Sequence, residues 1–417
     1  MKRFWVITSI FLLLCSCTST RAFTSSRLLS PEIALEEKLS SASSLSVPMP
    51  EVFFDGSAWL DRFTQLVEES DDYILISTFL GSDAPALEKL YRAIMDAAER
   101  GVRVYFIIDG ISSLDMTASK QYMTPLYFLR SSGVHLVEYN PVSVTHLINP
   151  ATIIHRDHVK MLVVDGLYCA IGGMNMNYIS LGAGEGKTQR DSMYLFKSPS
   201  LASLLSDEFV SMWNDISMEE IERDDFAVSE ADADESFQAW LVPTEETAGM
   251  FASVIGSAKE KLLILPYLPA LDGNMKSALQ EASRHGVDVD IIMPVDLRGY
   301  AASGIYSALP SLIADTSSDV FLSVFDENGI ELPLLHEKLM IADSRYVVIG
   351  SANFNFRSMA LSEELSLVID SPQLAALLEE HVRTMMKGSE KISYEEAIQL
   401  KETEGNVLAY LFMYFGG

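Results

Sequence analysis

Six residues, His158, Lys160, Asp165, Gly172, Gly173 and Asn175, recur with identical spacing as His336, Lys338, Asp343, Gly350, Ser351 and Asn353, so the pattern H-x-K-x4-D-x6-G-(G/S)-x-N is written twice, 178 positions apart. These residue types suit substitution at an anionic ester such as a phosphodiester, whose charge repels nucleophiles and whose alkoxide leaves poorly. The reaction needs a nucleophile, an acid for the leaving oxygen and fixed positive charge on the non-bridging oxygens. Imidazole is available both neutral and protonated near pH 7, so two histidines cover the first two needs. His and Lys stand two apart in each motif, which on a β-strand turns both side chains to one face. Lys160 and Lys338 then bring two ammonium groups to one phosphate, and the Asn175 and Asn353 amides add donors.

The elements that must carry these motifs also come in pairs. Tyr73 to Phe79 is an apolar, β-rich run, a helical stretch follows from Pro85 to Glu99, and Gly101 leads into a second strand, Tyr105 to Ile108. Lys261 to Leu265, a helix near Met275 to Ser283, and Gly286 leading into Asp290 to Met293 repeat the order. Strand, helix, strand at this length is a βαβ unit. From the glycine to the motif histidine is 57 residues in one half and 50 in the other, as a duplicated domain requires. The halves are expected at 51–225 and 226–417, joined through an acidic stretch from Glu219 to Glu235 that reads as a solvated linker, with a divalent-cation site as the alternative.

The doubled motif resembles the HKD signature of the phospholipase D superfamily. Arg156-Asp157-His158, Val163-Val164-Asp165-Gly166 and Gly172-Gly173-Met174-Asn175 are similar to the first motif of bacterial cardiolipin synthases. Gly350-Ser351-Ala352-Asn353, Arg357-Ser358 and Glu363-Glu364 are similar to their second. The resemblance implies an α/β fold of two α/β/α halves related by a pseudo-twofold axis, sharing one active site. It further implies a phosphatidyltransferase in which His158 attacks phosphorus to give a phosphohistidine, while His336 protonates the departing alcohol and then deprotonates the acceptor. Pseudo-symmetry leaves the reverse assignment open. Asp165 and Asp343 complete the catalytic set, with their contribution expected to be holding the motif loops. The same resemblance places Asp191 beside His336 and Glu364 beside His158 as orienting carboxylates, with Glu363 a neighbouring candidate. Arg357 is read equally as a phosphate or headgroup contact and as part of a structural salt bridge. Hydrolysis of the same bond, by a phospholipase D or phosphodiesterase, is the alternative reading, and a nuclease stands third.

Composition bears on that ranking. With 58 acidic against 30 basic residues the net charge is -28, which repels polyanions, so no nucleic-acid partner is expected. The partners expected are a phospholipid membrane and phosphatidylglycerol or a related lipid; no cofactor or metal is expected, and a monomer holds both half-sites. Lys2 and Arg3 open a leader whose apolar run, Val6 to Leu14, is short for a bilayer span. Leu14-Cys15-Ser16-Cys17 resembles a bacterial lipobox, which implies a signal peptide over 1–17, lipidation of Cys17 and a body held outside the cytoplasm at the cell envelope. An uncleaved anchor is the alternative, and either tethers the body to a membrane. Residues 18–50 read as a Ser-rich tether, with a short helix near Pro31 to Leu39. Cys169 reads as a small buried residue, and His135, His146, His155 and His285 as surface, loop or supporting residues. The apolar run Val407 to Phe415 either packs on the body or dips into a membrane interface.

Overall fold

The computed structural model describes residues 35–114, 126–143, 153–182, 189–230, 236–271, 273–294, 300–323 and 334–415. The leader with Cys15 and Cys17, and His146, lie outside the described residues.

Eighteen strands follow one another among the described residues. They are β1 (Ser43–Val47), β2 (Glu51–Phe53), β3 (Tyr73–Thr78), β4 (Arg103–Asp109), β5 (His135–Tyr139) and β6 (Met161–Val164), followed by β7 (Tyr168–Gly172), β8 (Gln189–Arg190) and β9 (Met193–Lys197). The second set is β10 (Phe237–Pro243), β11 (Lys261–Pro266), β12 (Asp288–Pro294), β13 (Asp319–Ser323), β14 (Leu334–Leu335), β15 (Lys338–Ala342), β16 (Tyr346–Gly350), β17 (Leu365–Asp370) and β18 (Ser389–Lys391). Their pairing makes a seven-stranded sheet, β2-β9-β7-β6-β3-β4-β5, and a nine-stranded sheet, β1-β10-β17-β16-β15-β11-β12-β13-β18. Without its two edge strands the second order repeats the first, strand for strand. The two expected βαβ units appear as the parallel pairs β3/β4 and β11/β12, connected through the helices Glu88–Glu99 and Gly273–Arg284.

Alternation along the strands builds three apolar layers. On β11, Leu262 and Ile264 face the outer helices of the second half, while Leu263 and Leu265 face the layer shared by both halves. On β3, Ile74 and Ile76 face the outer layer of the first half, and Tyr73 and Leu75 face the shared one. The helices Pro199–Ile216 and Pro372–Lys387 pack into that shared layer through Leu201, Phe209, Trp213, Leu374, Leu378 and Val382. Each half is thus an α/β/α sandwich, and a common core locks the two together.

Two sequence-level expectations shift. The tether does not extend to residue 50: a short helix is expected near Pro31 to Leu39 and Leu35–Ser41 is one, but Ser43–Val47 pairs antiparallel with β10 at the edge of the second half's sheet. Leu35, Leu39 and Val47 are buried, and those apolar contacts overcome the serine-rich composition. The acidic stretch is likewise not wholly solvated, because Ile221 and Phe226 are buried on the first half and Trp213 Nε1 donates to the Glu219 carbonyl at 2.8 Å. Its described carboxylates form no metal-holding group.

Candidate active site

Both motif histidines sit just ahead of a central strand, His158 before β6 and His336 before β15. Residue parity then separates two faces. Val159, Met161 and Val163 join the shared core, whereas Leu162 and Val164 face the outer layer of the first half. His158 and Lys160 occupy the even positions beyond the strand's end, where they close the site instead of filling the core.

The halves are stitched together at that end by two matching ladders. His336 N donates to Arg190 O at 2.7 Å, where β14 lies parallel to β8. His158 N donates to Glu363 O at 2.9 Å, at the parallel bridge between Asp157 and Glu363. In each case the residue that follows the ladder carbonyl is the carboxylate that meets the histidine. Asp191 Oδ2 lies 2.5 Å from His336 Nδ1, and both Glu364 oxygens lie 3.0 Å from His158 Nδ1. A carboxylate that accepts the Nδ1 proton fixes the tautomer and leaves Nε2 with its lone pair directed away. Glu363 turns elsewhere, accepting from Tyr139 at 3.2 Å and Thr244 at 3.1 Å.

Burial sets the protonation states. His158 is pushed down to about 3 and His336 to about 4, chiefly because desolvation disfavours the imidazolium, although a carboxylate faces each. Lys160 and Lys338 fall to about 7 and about 8 for the same reason. The charge on Lys338 also lowers Lys160, which places the two motifs in one electrostatic site. Burial opposes the charge on Asp191 and Glu364, yet the opposing Lys338, His336, His158 and Lys160 hold both carboxyls below their usual range. The lysine ammoniums donate to the carbonyls of their own motif histidines. Two lysines, two neutral imidazoles and two carboxylates thus share one buried cluster.

The structure also brings in residues that the motif spacing did not single out. Phe79, just past β3, meets His158 edge-on at 4.8 Å between ring centroids and lies 5.2 Å from the Lys160 ammonium. Tyr267, just past β11, stands in the same relation to the second motif, 4.0 Å from His336 and 4.9 Å from Lys338. Arg357 lies over Phe79 at 5.4 Å and donates from Nε to Ser362. Glu337, between His336 and Lys338, is fully buried and accepts from His381 Nε2 at 2.8 Å; the His381 ring stacks on Phe54 of the first half at 3.6 Å. The repeated position of the aromatic after each strand was readable in the sequence. The Glu337–His381 contact was not, because it joins the residue just ahead of β15 to a helix 44 residues on.

Asp165 and Asp343 lie at the other end of the motif strands from the histidines. Each follows the far end of its motif strand in the left-handed region, φ 51° and 52°, which aspartate tolerates. Asp165 accepts from the backbone N–H groups of Asp71, Asp72 and Tyr73, all at 2.9 Å. Asp343 accepts from those of Lys259, Glu260 and Lys261 at 2.8 to 3.1 Å. Both carboxylates anchor the entry of β3 or β11, the opposite strand end from the histidines. Asn175 Oδ1 accepts from Leu80 N at 3.2 Å, while the buried Asn353 Oδ1 has no partner among the described residues. His135 pairs with Glu219 and stacks on Tyr105, His155 and His285 are exposed, and Cys169 is buried and in no disulfide.

The family described as "Cardiolipin synthase, PLD-like domain" matches residues 63–213 and 251–386, one segment in each half. The chain is 26% identical over 325 residues to the cardiolipin synthase of Alkalihalophilus pseudofirmus, covering 76% of this chain and 61% of that one. It is 25% identical over 368 residues to cardiolipin synthase A of Pseudomonas putida, covering 86% and 73%. The chain spans 61% of the length of the first curated relatives it matches. Phosphatidylserine synthase of Haemophilus influenzae shares the fold, with a TM-score of 0.69 at 15% identity over 91% of this chain and 95% of that one. With the family match spread over both halves and both histidine-lysine pairs meeting across them, the chain belongs to the phospholipase D superfamily, in its cardiolipin synthase-like domain family.

Proposed function

We propose that the protein is a phosphatidyltransferase that moves a phosphatidyl group from phosphatidylglycerol or a related lipid to an alcohol, as its cardiolipin synthase relatives are named for. The observation that carries this reading is the reciprocal pairing of His158 with Glu364 and His336 with Asp191, which makes one site from two half-motifs. His158 Nε2 attacks phosphorus, and the ester oxygen leaves as glycerol with a proton from His336. The acceptor hydroxyl then gives its proton to His336 and attacks the phosphohistidine, so the P–N bond breaks and both histidines return to their starting states. Two phosphatidylglycerol molecules thus yield cardiolipin and glycerol. Lys160, Lys338, Asn175 and Asn353 hold the non-bridging oxygens, and an incoming phosphate anion restores the charge that lets the buried His336 carry its proton.

Lipidation at Cys17 in the cell envelope, with the body outside the cytoplasm and active as a monomer, belongs to the same reading. It rests on the lipobox-like sequence and on both motifs lying in one chain. Among the described residues no helix is long and apolar enough to cross a membrane.

The test is incubation of the purified full-length protein with labelled phosphatidylglycerol and mass spectrometry of the products. Cardiolipin is expected from wild type, with a loss of at least about 10⁴-fold in His158→Ala and His336→Ala. Phosphatidic acid as the sole product would make the protein a hydrolase; turnover indifferent to both substitutions would overturn the mechanism.

A further inference from the structure

Two positions beside the motifs break the symmetry of the halves. The residue two before the motif histidine is Arg156 in the first half and Leu334 in the second, and the residue four after the motif asparagine is Ile179 in the first and Arg357 in the second. A pseudo-twofold axis sets the residue before one histidine beside the residue after the other half's asparagine. Both arginines therefore fall on the His158 side, and the equivalent positions beside His336 carry Leu334 and Ile179. The electrostatics agree: burial lowers Arg357 and the nearby charge of Arg156 adds to it, while Arg357 in turn adds to the burial that lowers His158.

Arg156 is bonded along only part of its guanidinium. Nη1 donates to Asp109 Oδ1 at 3.1 Å and to Asn140 O at 3.0 Å. Nε and Nη2, which share the side edge of the group, have no acceptor among the described residues. That edge is the fork that grips a carboxylate or phosphate through two parallel hydrogen bonds. Asp109 has no spare reach toward it, since its oxygens also accept from Ile111 N and Asp157 N, both at 2.8 Å. Buried donors without acceptors are costly and rare, so the ion pair with Asp109 explains one edge and leaves the fork unexplained. Arg156 is 2% exposed against 1% for Lys160 and 5% for His158, so what admits a substrate to the motif pair admits it here.

The backbone aims this fork at the reacting centre. Glu363 N donates to Arg156 O at 2.8 Å and His158 N to Glu363 O at 2.9 Å, so the chain is extended through Asp157 and the side chains of Arg156 and His158 leave it on one side. Two residues of extended chain span about 7 Å, which sets the guanidinium beside the line along which His158 meets phosphorus. We propose that Arg156, backed by the charge of Arg357, is a subsite for a second phosphate, carried by an acceptor that is itself a phosphorylated glycerol. The glycerol carbons bring the acceptor's hydroxyl to the phosphohistidine while its phosphate sits in the fork. Water and simple alcohols make no such contact, so the subsite favours transfer to a lipid headgroup over hydrolysis. This rests on the proposed phosphatidyl transfer and adds the residue that selects its acceptor.

The test offers the full-length protein phosphatidylglycerol as donor with glycerol phosphate and isotopically labelled glycerol at equal concentration, two acceptors that differ in the phosphate, and resolves the products by mass spectrometry. Wild type is expected to favour glycerol phosphate at least about tenfold, the worth of a charge-assisted hydrogen bond. Arg156→Gln/Asp109→Asn, which removes ion pair and fork together at nearly constant shape, should bring the ratio close to one at an unchanged melting temperature. Arg156→Lys, which keeps the charge but not the fork, should lose most of the preference. A wild-type ratio near one, or a preference that survives both variants, overturns the proposal. So does an equal loss with both acceptors, which is what a purely structural arginine produces. Hydrolysis with neither acceptor used would reject the transfer itself; inhibition of that hydrolysis by glycerol phosphate in wild type but not in Arg156→Lys would still retain the subsite, and its absence would reject both.

Discussion

The two halves begin from the same six residue types yet brace their histidines differently. In the first half the residue between histidine and lysine is Val159, an ordinary member of the shared core. In the second it is Glu337, a carboxylate buried in the same layer and held by His381, which in turn stacks on the first half's Phe54. The orienting carboxylates differ as well. Glu364 spans the extra length of its side chain to His158 and receives a further hydrogen bond from Ser351 Oγ at 2.6 Å. Asp191 instead packs against Gly173, the position equivalent to Ser351, where a Cβ would fall 2.1 Å from the Asp191 carboxylate. The motif histidines and lysines are duplicated, and the groups that hold them have diverged. In the proposed reaction one histidine is the nucleophile and the other the proton carrier, and two unlike supports around two like imidazoles suit that division.

The strongest way to break that comparison is to disable each support in turn. Glu364→Gln and Asp191→Asn keep the shape but offer an amide N–H where the imidazole Nδ1–H points, which favours the wrong tautomer; each is expected to lower kcat about 10³-fold. The division of labour appears with an activated leaving group. A p-nitrophenyl phosphodiester needs no proton on departure, so the p-nitrophenolate burst in Asp191→Asn should recover to within about tenfold of wild type, because general-acid help is no longer needed. Glu364→Gln, which disturbs the nucleophile, should stay low. Equal recovery in both would show that the halves are interchangeable in the first step.

Acid stability tests the burial of the two histidines. An unfolded histidine protonates near 6.5, while the folded ones remain neutral to about 3 at His158 and about 4 at His336. Between those values the unfolded state binds more protons, so stability falls as pH drops from 6.5 and levels off below the folded values. The depressed Glu364 adds loss between its ordinary value of 4.5 and about 2, since its favourable charged form disappears as the carboxylate protonates. Thermal melts from pH 7 to 4 should therefore show a steady decline, with shallower slopes in His158→Gln and His336→Gln. A slope unchanged by both substitutions would mean that the imidazoles are charged in the folded protein.

How far the sequence carries this comparison depends on the range of the contacts. Motif residues and βαβ units are local, and their spacing shows in the chain, which is why β3, β4, β11 and β12 lie where apolar runs placed them. Asp165 and Asp343 travel with the motif and are expected to hold its loops; which backbone they hold, N–H groups more than 80 residues away at the entries of β3 and β11, is not local and does not show in the spacing. Serines 43, 44 and 46 carry no β signal of their own, and they form β1 because the exposed edge of β10 offers them a ladder. Tyr267 could have been found by aligning the halves on their strands, since it answers to Phe79. His381 could not, because no repeat in the first half marks it.

The finest contrast between the halves is the residue behind each carboxylate. Ser351 donates to Glu364 at 2.6 Å and also accepts from Leu365 N at 3.1 Å, whereas Gly173 offers no side chain to Asp191. Ser351→Gly makes the two motifs alike at this position and leaves one Glu364 oxygen with fewer donors, a loss of about 1 kcal/mol, or roughly fivefold, by the usual net value of a buried hydrogen bond. The fall should appear in kcat with KM nearly unchanged, because the serine supports the carboxylate that orients His158 and touches no substrate. A comparable fall on the activated p-nitrophenyl ester is expected, since the defect lies with the nucleophile. Full recovery on that ester would move the serine's influence to the proton-carrying side and reverse the roles assigned to the two histidines.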